Sequence, residues 1–382
     1  MINTSLTLTT VTPLFMDGAT QRDPDTPPEL RPASIRGVAR YWLRALLGGI
    51  VGDQAIDKVS QVETSVFGDT GSASPIAVQL APKGTIEWKP YIRSSQPIGQ
   101  DYLFWSLVEN RQEPARNAIK PGTEYEVVLT ERSGSDGRAL NACLVALWLA
   151  NQLGALGSRA RRGAGSFRLS GSPEIEWIPS FGMADGLPDL LAQLQEGIGQ
   201  IRAQIIQQQQ LVTQSVSVPS SFDVLHPTHC QVWILSPSAN KGWTSPTSAL
   251  NAIGEAFRDF RRFTAPHENV AAWQQGQTAP ATIARAVFGL PLPYFYKAQN
   301  LKPVINGTEH ERRASPLHLR ITQLGNNQFV GIATLFKSRF LPPNEKLGIE
   351  GTRRTTAPPA DYSVIEDFIR SSNFTAQEVA LK

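Results

Sequence analysis

The sequence is poor in the residues that build covalent or metal-held frameworks. Its 382 residues include two cysteines, Cys143 and Cys230, and five histidines. Two cysteines cannot supply a disulfide framework, and their scarcity fits a reducing compartment. The sequence also lacks a charged start followed by an apolar stretch, and no apolar run reaches the length of a membrane span. We therefore expect a cytoplasmic protein that has no membrane anchor.

A large net charge is lacking as well. The formal net charge is only +3 at pH 7, yet 26 of the 36 basic residues are arginine. A planar guanidinium donates two parallel hydrogen bonds to phosphate oxygens, whereas a lysine acts as a point charge. Because these arginines cluster, they favour recognition of phosphate at particular sites over a diffuse basic surface. The length allows two domains with ordinary cores.

The first arginine cluster lies in residues 29–44 and lacks acidic neighbours. Apolar residues recur there with the 3.6-residue period, which predicts a helix capped by Ser34 with Trp42 in the core. Arginines recur every fourth residue on another face, and no Asp or Glu occurs between Arg31 and Gly52. Like charges at this spacing repel one another, so an anion is expected to compensate them. The candidate phosphate ligands in this segment are Arg31, Arg36, Arg40 and Arg44.

Two further points bear on this helix. Gly37 costs about 0.5–1 kcal/mol of helix stability relative to alanine, which is understandable if another backbone or a ligand approaches closely there. The structural alternative for the arginines is that they lie over the core and pair with distant carboxylates, and the sequence leaves that alternative open.

The second cluster follows residues 139–153, which are apolar almost all round and predict a buried helix ending at Gly154. The loop over residues 157–167 then combines glycines with three arginines. Glycines permit positive φ and can turn backbone N–H groups toward an anion, while arginines add charged donors. The loop is neither a Walker loop nor a dinucleotide fingerprint, and a merely solvated loop is the alternative. Its candidate ligands are Ser158, Arg159, Arg161, Arg162, Gly163 and Gly165.

The order of predicted elements is strand, helix, strands, helix, strand, which is typical of an α+β sandwich of the split βαβ type. A glutamine-rich helix over residues 189–211 follows, and a second unit then repeats the pattern of strand, basic helix and hairpin. The predicted division is an N-terminal domain over 1–185, a helical connector over 186–214 and a C-terminal domain over 215–382.

These motifs resemble the RAMP superfamily, the ferredoxin-like subunits of CRISPR effector complexes. The strand ending in Pro13-Leu14-Phe15 and the arginine motif over 29–45 resemble its N-terminal signature. Residues 157–166 resemble its glycine-rich loop, and Arg313-Ala314-Ser315-Pro316-Leu317 resembles a later element. Within the superfamily, the similarity is to the first-numbered subunits of the Cmr module of type III-B systems.

The resemblance implies two ferredoxin-like, RRM-like folds in tandem. It implies a non-catalytic subunit that holds crRNA near its 3′ region, target RNA, or both, beside other RAMP subunits. We expect no cofactor and no metal. Arginines would grip the backbone without reading bases, and Tyr41 or Phe167 could stack an unpaired base.

Catalytic readings remain as alternatives. His310 or His318 could act as general acid or base in a metal-independent RNA endonuclease of the same superfamily. Asp17, Asp23 and Asp25 could bind a metal, although loop aspartates are more often turn formers. For residues 226–230, with their two histidines and a cysteine, a turn role is favoured over metal binding. A third class is an enzyme acting on a phosphorylated small molecule held by the glycine-rich loop.

Overall fold

The structure is a computed structural model that describes residues 2–18, 23–95, 98–110, 113–132, 136–173, 175–266, 268–359, 361–371 and 373–381. Within these ranges, no helix combines the length and apolarity needed to cross a bilayer.

The first unit is built on a four-stranded antiparallel sheet with strand order β2-β5-β1-β6. Helices α1 and α4 pack against each other and against this sheet. The order β-α-β-β-α-β together with this strand order is the ferredoxin-like arrangement. Its elements are β1 (Ile2–Thr10), α1 (Pro32–Val51), α2 (Ile56–Phe67), β2 (Ile76–Pro82), β3 (Trp88–Pro90), α3 (Gly99–Leu103), β4 (Asn117–Ile119), β5 (Glu124–Glu131), α4 (Arg138–Leu153) and β6 (Phe167–Ser170).

Helix α1 has the predicted buried stripe, because Ile35, Ala39, Trp42 and Leu46 are all nearly inaccessible. Its start differs from the prediction. The N-cap is Arg31 and no side chain caps the helix. Pro32 occupies the first turn, where its fixed φ suits a helix and its missing N–H costs nothing, so Ser34 lies inside the helix.

Helix α4 is buried almost all round, as predicted, and ends before Gly154. Helix α5 (Leu187–Gln208) packs against it. The two helices come so close that a Cβ on Gly197 would lie 2.6 Å from the Trp148 ring. The apolar face of α5 packs on the core, which leaves the glutamine-rich face to solvent.

The second unit repeats the arrangement on an antiparallel sheet with strand order β10-β11-β7-β14. Its helices α6 and α8 share a core with the inward faces of the strands. A π-helical turn, Phe260–Thr264, extends α6. The elements of this unit are β7 (Cys230–Ser236), α6 (Pro246–Asp259), β10 (Leu317–Gln323), β11 (Phe329–Phe336), α8 (Ser363–Ser371) and β14 (Thr375–Val379).

A small additional sheet, with strand order β13-β12-β9-β8, is inserted in the second unit and has its own apolar cluster. It comprises β8 (Leu292–Pro293), β9 (Val304–Gly307), β12 (Leu347–Ile349) and β13 (Thr355–Thr356), with α7 (Val270–Gln274) nearby in the chain. The chain is therefore α+β with two ferredoxin-like folds in tandem. The exact domain limits of 1–185, 186–214 and 215–382 stay a prediction.

One buried cation joins the two units. Arg320 of β10 is 2% exposed. Its guanidinium donates to the carbonyl oxygens of Asn151 and Phe167, the latter at 2.9 Å, in the first unit. Burial lowers the pKa of Arg320 to about 9, so the side chain is still protonated at neutral pH. The carbonyl at the end of α4 and that of Phe167 thus find their donor in the other unit.

We predict that Arg320→Met lowers the free energy of unfolding by about 2–3 kcal/mol, because methionine fills the space but leaves buried carbonyls without a donor. Urea denaturation followed by circular dichroism measures this loss. The control is Arg370→Met, because Arg370 is 63% exposed in an i,i+4 ion pair and should cost less than about 0.5 kcal/mol. Equal unfolding midpoints for the two variants would contradict the role of Arg320.

Candidate nucleic-acid interface

The glycine-rich loop connects the end of α4 to the start of β6 and is shaped by left-handed backbone. Gly157, Gly163 and Gly165 have φ values of 76°, 84° and 63°. Arg159 also has a positive φ of 59°, which costs a non-glycine residue about 1–2 kcal/mol. The positive φ expected for the loop is therefore present, and a short 3₁₀ turn, Ala160–Arg162, carries the arginines.

Much of this loop lies buried between the two units. The Thr12 hydroxyl donates to the carbonyl of Gly163 at 2.7 Å, and the Ser166 hydroxyl accepts from the N–H of Ile321 at 3.0 Å. A Cβ on Gly163 would lie 2.6 Å from Leu250 Cδ2. Gly163 therefore allows the second unit to pack closely against the loop.

Two loop amides expected to face an anion are engaged within the protein. The N–H of Ser158 donates to Phe15 at 2.9 Å, and the N–H of Gly165 donates to Pro13 at 2.9 Å. In the free chain, these two N–H groups are therefore not available to an anion. The assignment of Ser158, Gly163 and Gly165 to RNA binding stays a prediction.

Arginines from both units line one open cleft of about 530 Å³. Helix α1 contributes Arg44 and the loop contributes Arg161. Arg313, just before β10, and Arg339, just after β11, complete the basic lining from the second unit. The structure thus brings one arginine from each predicted cluster to the same cleft.

Asp223 is the carboxylate at the wall of this cleft. It accepts hydrogen bonds from the Tyr41 hydroxyl at 2.9 Å and from the Ser338 hydroxyl at 2.6 Å. The nearest nitrogens of Arg161 and Arg313 lie 3.8 Å and 3.6 Å from its oxygens. One carboxylate is therefore shared by two guanidinium groups, and the cleft keeps a positive balance.

Tyr41 and His318 lie together at the base of the cleft, with ring centroids 5.6 Å apart and nearly parallel planes. Burial, followed by the nearby Asp223, raises the pKa of Tyr41 well above its usual value. Burial and then three neighbouring arginines hold the pKa of His318 well below its usual value. His318 is therefore neutral at physiological pH.

Helix α2, which the sequence analysis missed, supplies an anion for the arginine row. The guanidinium of Arg44 donates twice to the Glu63 carboxylate, both times at 2.9 Å, while the Arg44 side chain stays 49% exposed. Arg40 approaches Glu63 to 3.8 Å and donates to the carbonyls of Phe67 and Gly68. Glu63 is 12 residues beyond Val51, so the local sequence of α1 could not reveal it.

The other arginines of the two clusters have different surroundings. Arg31 is exposed at the start of α1 and Arg36 is partly buried; neither forms an ion pair with a described residue. Arg159 lies over the Trp105 ring and donates to the Ser106 hydroxyl at 2.8 Å. Arg162 lies over the Phe257 ring, 4.8 Å from its centroid, and donates to Phe288. Burial and then neighbouring arginines lower the pKa of Arg162 to about 9.

The aromatic residues expected to stack a base are both covered. Phe167 is 1% exposed in the core, so the prediction that it stacks a base is wrong. It faces inward because β6 alternates buried and partly exposed residues and Phe167 has the buried register. The Tyr41 ring contacts His318 and the Arg161 guanidinium, which is 5.6 Å from its centroid. Trp42 is in the core, as predicted.

The residues of the catalytic alternatives are dispersed. His310 is exposed and lies 2.7 Å from Glu345. Asp17 pairs with Arg116, and Asp23 closes a turn by accepting from Asp25 and Thr26. In the described ranges, no three His, Cys, Asp or Glu side chains are grouped as metal ligands. His226 donates or accepts within its own turn, at Thr228.

We predict opposite effects of alanine at two glycines near the arginine clusters. Gly163→Ala lowers stability by about 1–2 kcal/mol, because of its positive φ and the nearby Leu250. Gly37→Ala raises stability by about 0.5–1 kcal/mol, because it lies in a helix and its Cβ would meet nothing within 4 Å. Chemical denaturation measures both. A stabilising Gly163→Ala would mean that the loop does not require its left-handed turn.

The sequence of this chain is similar to that of known proteins of one family. Residues 7–168 match the family model of the RAMP superfamily. The CRISPR system Cmr subunit Cmr1-2 of Pyrococcus furiosus is 32% identical over an alignment of 185 positions, which covers 42% of this chain and 92% of that protein. The Cmr1-1 subunit of the same organism is 25% identical over an alignment of 321 positions, which covers 82% of this chain and 82% of that protein.

Solved structures show the same fold. The crystal structure of apo Cmr1 from Pyrococcus furiosus has a TM-score of 0.62 at 18% identity, covering 100% of this chain and 99% of that one. A chain of the type III-B Cmr-beta complex bound to cognate target RNA has a TM-score of 0.52 at 11% identity, covering 95% and 97%. The chain belongs to the RAMP superfamily, and it is a relative of the Cmr1 subunits.

Proposed function

We propose that this chain is a non-catalytic RNA-binding subunit of a type III-B-like Cmr ribonucleoprotein in the cytoplasm. Its partners are crRNA, target RNA and other RAMP subunits, and its contact with guide RNA lies toward the 3′ region. The observation that carries the proposal is the convergence of Arg44, Arg161, Arg313 and Arg339 on one cleft. Relatives are subunits of Cmr systems, and one similar fold belongs to a complex that holds target RNA.

The chemistry of the cleft suits a ribose-phosphate backbone. Guanidinium forks match phosphate oxygens, and they contact the backbone without reading base edges. Glu63 and Asp223 hold Arg44, Arg161 and Arg313 in place before any ligand arrives. The exposed half of Arg44 and the exposed Arg339 stay free to meet phosphate. Binding that tolerates any sequence follows, as a guide-carrying complex requires.

The geometry favours binding over cleavage. His318, which could act as general acid or base, is buried, neutral and stacked on Tyr41. His310, which follows β9, is paired with Glu345, which precedes β12, beside the additional sheet of the second unit. Proton transfer to or from a 2′-hydroxyl needs a side chain that reaches the substrate and titrates near the working pH. His318 does not meet this requirement, and His310 does not line the arginine cleft.

The cleft predicts how salt and single arginines affect RNA binding. Arg339→Gln weakens binding of a single-stranded RNA by about 1–2 kcal/mol, because one charge-assisted hydrogen bond is lost. It also reduces the slope of log affinity against log salt by about 0.7, the value for one phosphate contact on a single strand. Fluorescence anisotropy with an end-labelled RNA measures both quantities.

The control for that measurement is Arg138→Gln. Like Arg339, Arg138 is exposed, but it pairs with Asp136 at the start of α4 and lies outside the cleft. Its affinity and salt slope should equal those of the wild type. An unchanged slope for Arg339→Gln would contradict the assignment of RNA binding to the cleft.

RNA recovered after the titration should be intact, whereas cleavage abolished by His310→Ala or His318→Ala would favour the nuclease. Binding of nucleotides but not of RNA would favour the phospho-ligand enzyme.

Gly37 allows binding to be separated from stability. It lies on the same face of α1 as Tyr41 and Arg44, and a Cβ at Gly37 itself would meet nothing within 4 Å. Gly37→Gln should stabilise the helix by about 0.5–1 kcal/mol, yet weaken RNA binding by a factor of about 3–10, because a strand held by Arg44 passes over this position. Parallel denaturation and anisotropy titrations measure the two effects. Gly37→Ala is the size control, and equal RNA affinity of all three proteins would show that no strand passes there.

A further inference from the structure

Trp105 is a large aromatic residue placed at the surface by buried neighbours. The indole is 59% exposed, while Phe104 and Leu107 on either side of it are buried. These two residues anchor the short 3₁₀ turn Trp105–Leu107 to the core shared with the second unit. The position of the indole is therefore fixed by its neighbours and does not depend on burial of its own ring.

The glycine-rich loop supplies a guanidinium to this indole. The Cζ atom of Arg159 lies 5.3 Å from the centroid of the Trp105 ring, a cation–π distance. The Arg159 Nε donates to the hydroxyl of Ser106 at 2.8 Å, which fixes the orientation of the fork. Arg159 forms no ion pair with a carboxylate in the described ranges. Its left-handed backbone, at φ 59°, is a local cost at the residue that makes these contacts.

Further positive charge surrounds the pair. Arg161 is two residues along the same turn, so its Cα is at most about 7 Å from that of Arg159. Arg161 points to the cleft, where it reaches the Ser315 carbonyl and Asp223. Arg261 and Arg159 both lie close enough to Arg162 to help lower the pKa of Arg162. One turn of backbone therefore connects the exposed indole to the arginine cleft.

We propose that Trp105 and Arg159 form a subsite for one unpaired nucleotide of RNA, in which the indole stacks the base and Arg159 binds the adjoining phosphate. This subsite rests on the proposed RNA-binding function and extends the bound strand beyond the cleft. An aromatic face accepts any base, and an oriented guanidinium matches phosphate, so the pair binds a nucleotide without selecting its sequence. Tyr41 has the His318 ring stacked against it as well as the Arg161 guanidinium over it, and Phe167 is 1% exposed, so neither offers an open face for this purpose.

The test compares full-length variants on two RNAs by fluorescence anisotropy. One is a short end-labelled oligouridylate, and the other is the same backbone made entirely of abasic sites. Trp105→Ala should bind oligouridylate about tenfold more weakly than the wild type, which is the usual size of one base–aromatic stack. Trp105→Phe should retain most of the affinity. On abasic RNA, the wild type and Trp105→Ala should bind equally, because no base is present to stack.

The matched control is Phe295→Ala. Phe295 is 63% exposed and has the Lys302 ammonium 5.6 Å from its ring centroid, but it follows β8 of the additional sheet in the second unit. This variant should bind oligouridylate as the wild type does. Thermal melting should show unchanged stability for Trp105→Ala and Phe295→Ala, because both side chains are mostly exposed.

Four results would overturn the subsite. In the first, Trp105→Ala binds oligouridylate with wild-type affinity, and in the second, Trp105→Ala loses as much affinity for abasic RNA as for oligouridylate. In the third, Phe295→Ala loses as much affinity for oligouridylate as Trp105→Ala does. In the fourth, Trp105→Ala keeps its RNA affinity and loses only association with other Cmr subunits. If Arg339→Gln weakens binding while Trp105→Ala does not, the subsite fails and the proposed function stands. If the wild-type chain does not bind RNA, both fail.

Discussion

The arrangement of the two units depends on burying positive charge where they meet. Arg320 crosses from β10 to carbonyl oxygens of the first unit, and Arg162 of the glycine-rich loop lies over the Phe257 ring of the second. Buried cations are costly unless donors and acceptors match, so few relative orientations of the units satisfy them. The orientation that does so also places Arg161 beside Asp223 and Arg313, and thereby forms the cleft.

Two carboxylates set how this cleft is prepared for an anion. Glu63 holds Arg44 with paired hydrogen bonds, and Asp223 is shared between Arg161 and Arg313. A flexible arginine pays side-chain entropy when it orders on a ligand, and prior contact with a carboxylate reduces that cost. Because each carboxylate serves more than one cationic group, the balance remains positive. The two carboxylates thus pair with the arginines in the free chain. The positive charge that remains is the charge that would attract phosphate under the proposed function.

Local patterns predicted most of the repeated fold, because periodicity reports which face of an element is buried. This holds for the stripe of α1 and for the fully apolar α4. The cap at Ser34 was wrong because Pro32 starts the helix earlier, and Phe167 was misplaced because its face on a short strand depends on register. The two arginine clusters were visible in the sequence. The contributions of Glu63, Asp223 and Arg339 were not, because they come from tertiary packing and no local spacing encodes them.

The backbone N–H groups of the glycine-rich loop that are engaged within the protein limit how this loop can bind an anion. A loop whose N–H groups cradle phosphate binds it with fixed geometry, but here Ser158 and Gly165 donate to the protein itself. The glycines are needed for close packing, as the short distance from Gly163 to Leu250 shows. Under the proposed function, anion binding therefore falls to guanidinium side chains, whose contacts with phosphate would release counterions and weaken with salt. In the proposed subsite, base contact falls to Trp105 beside Arg159, because the indole is exposed.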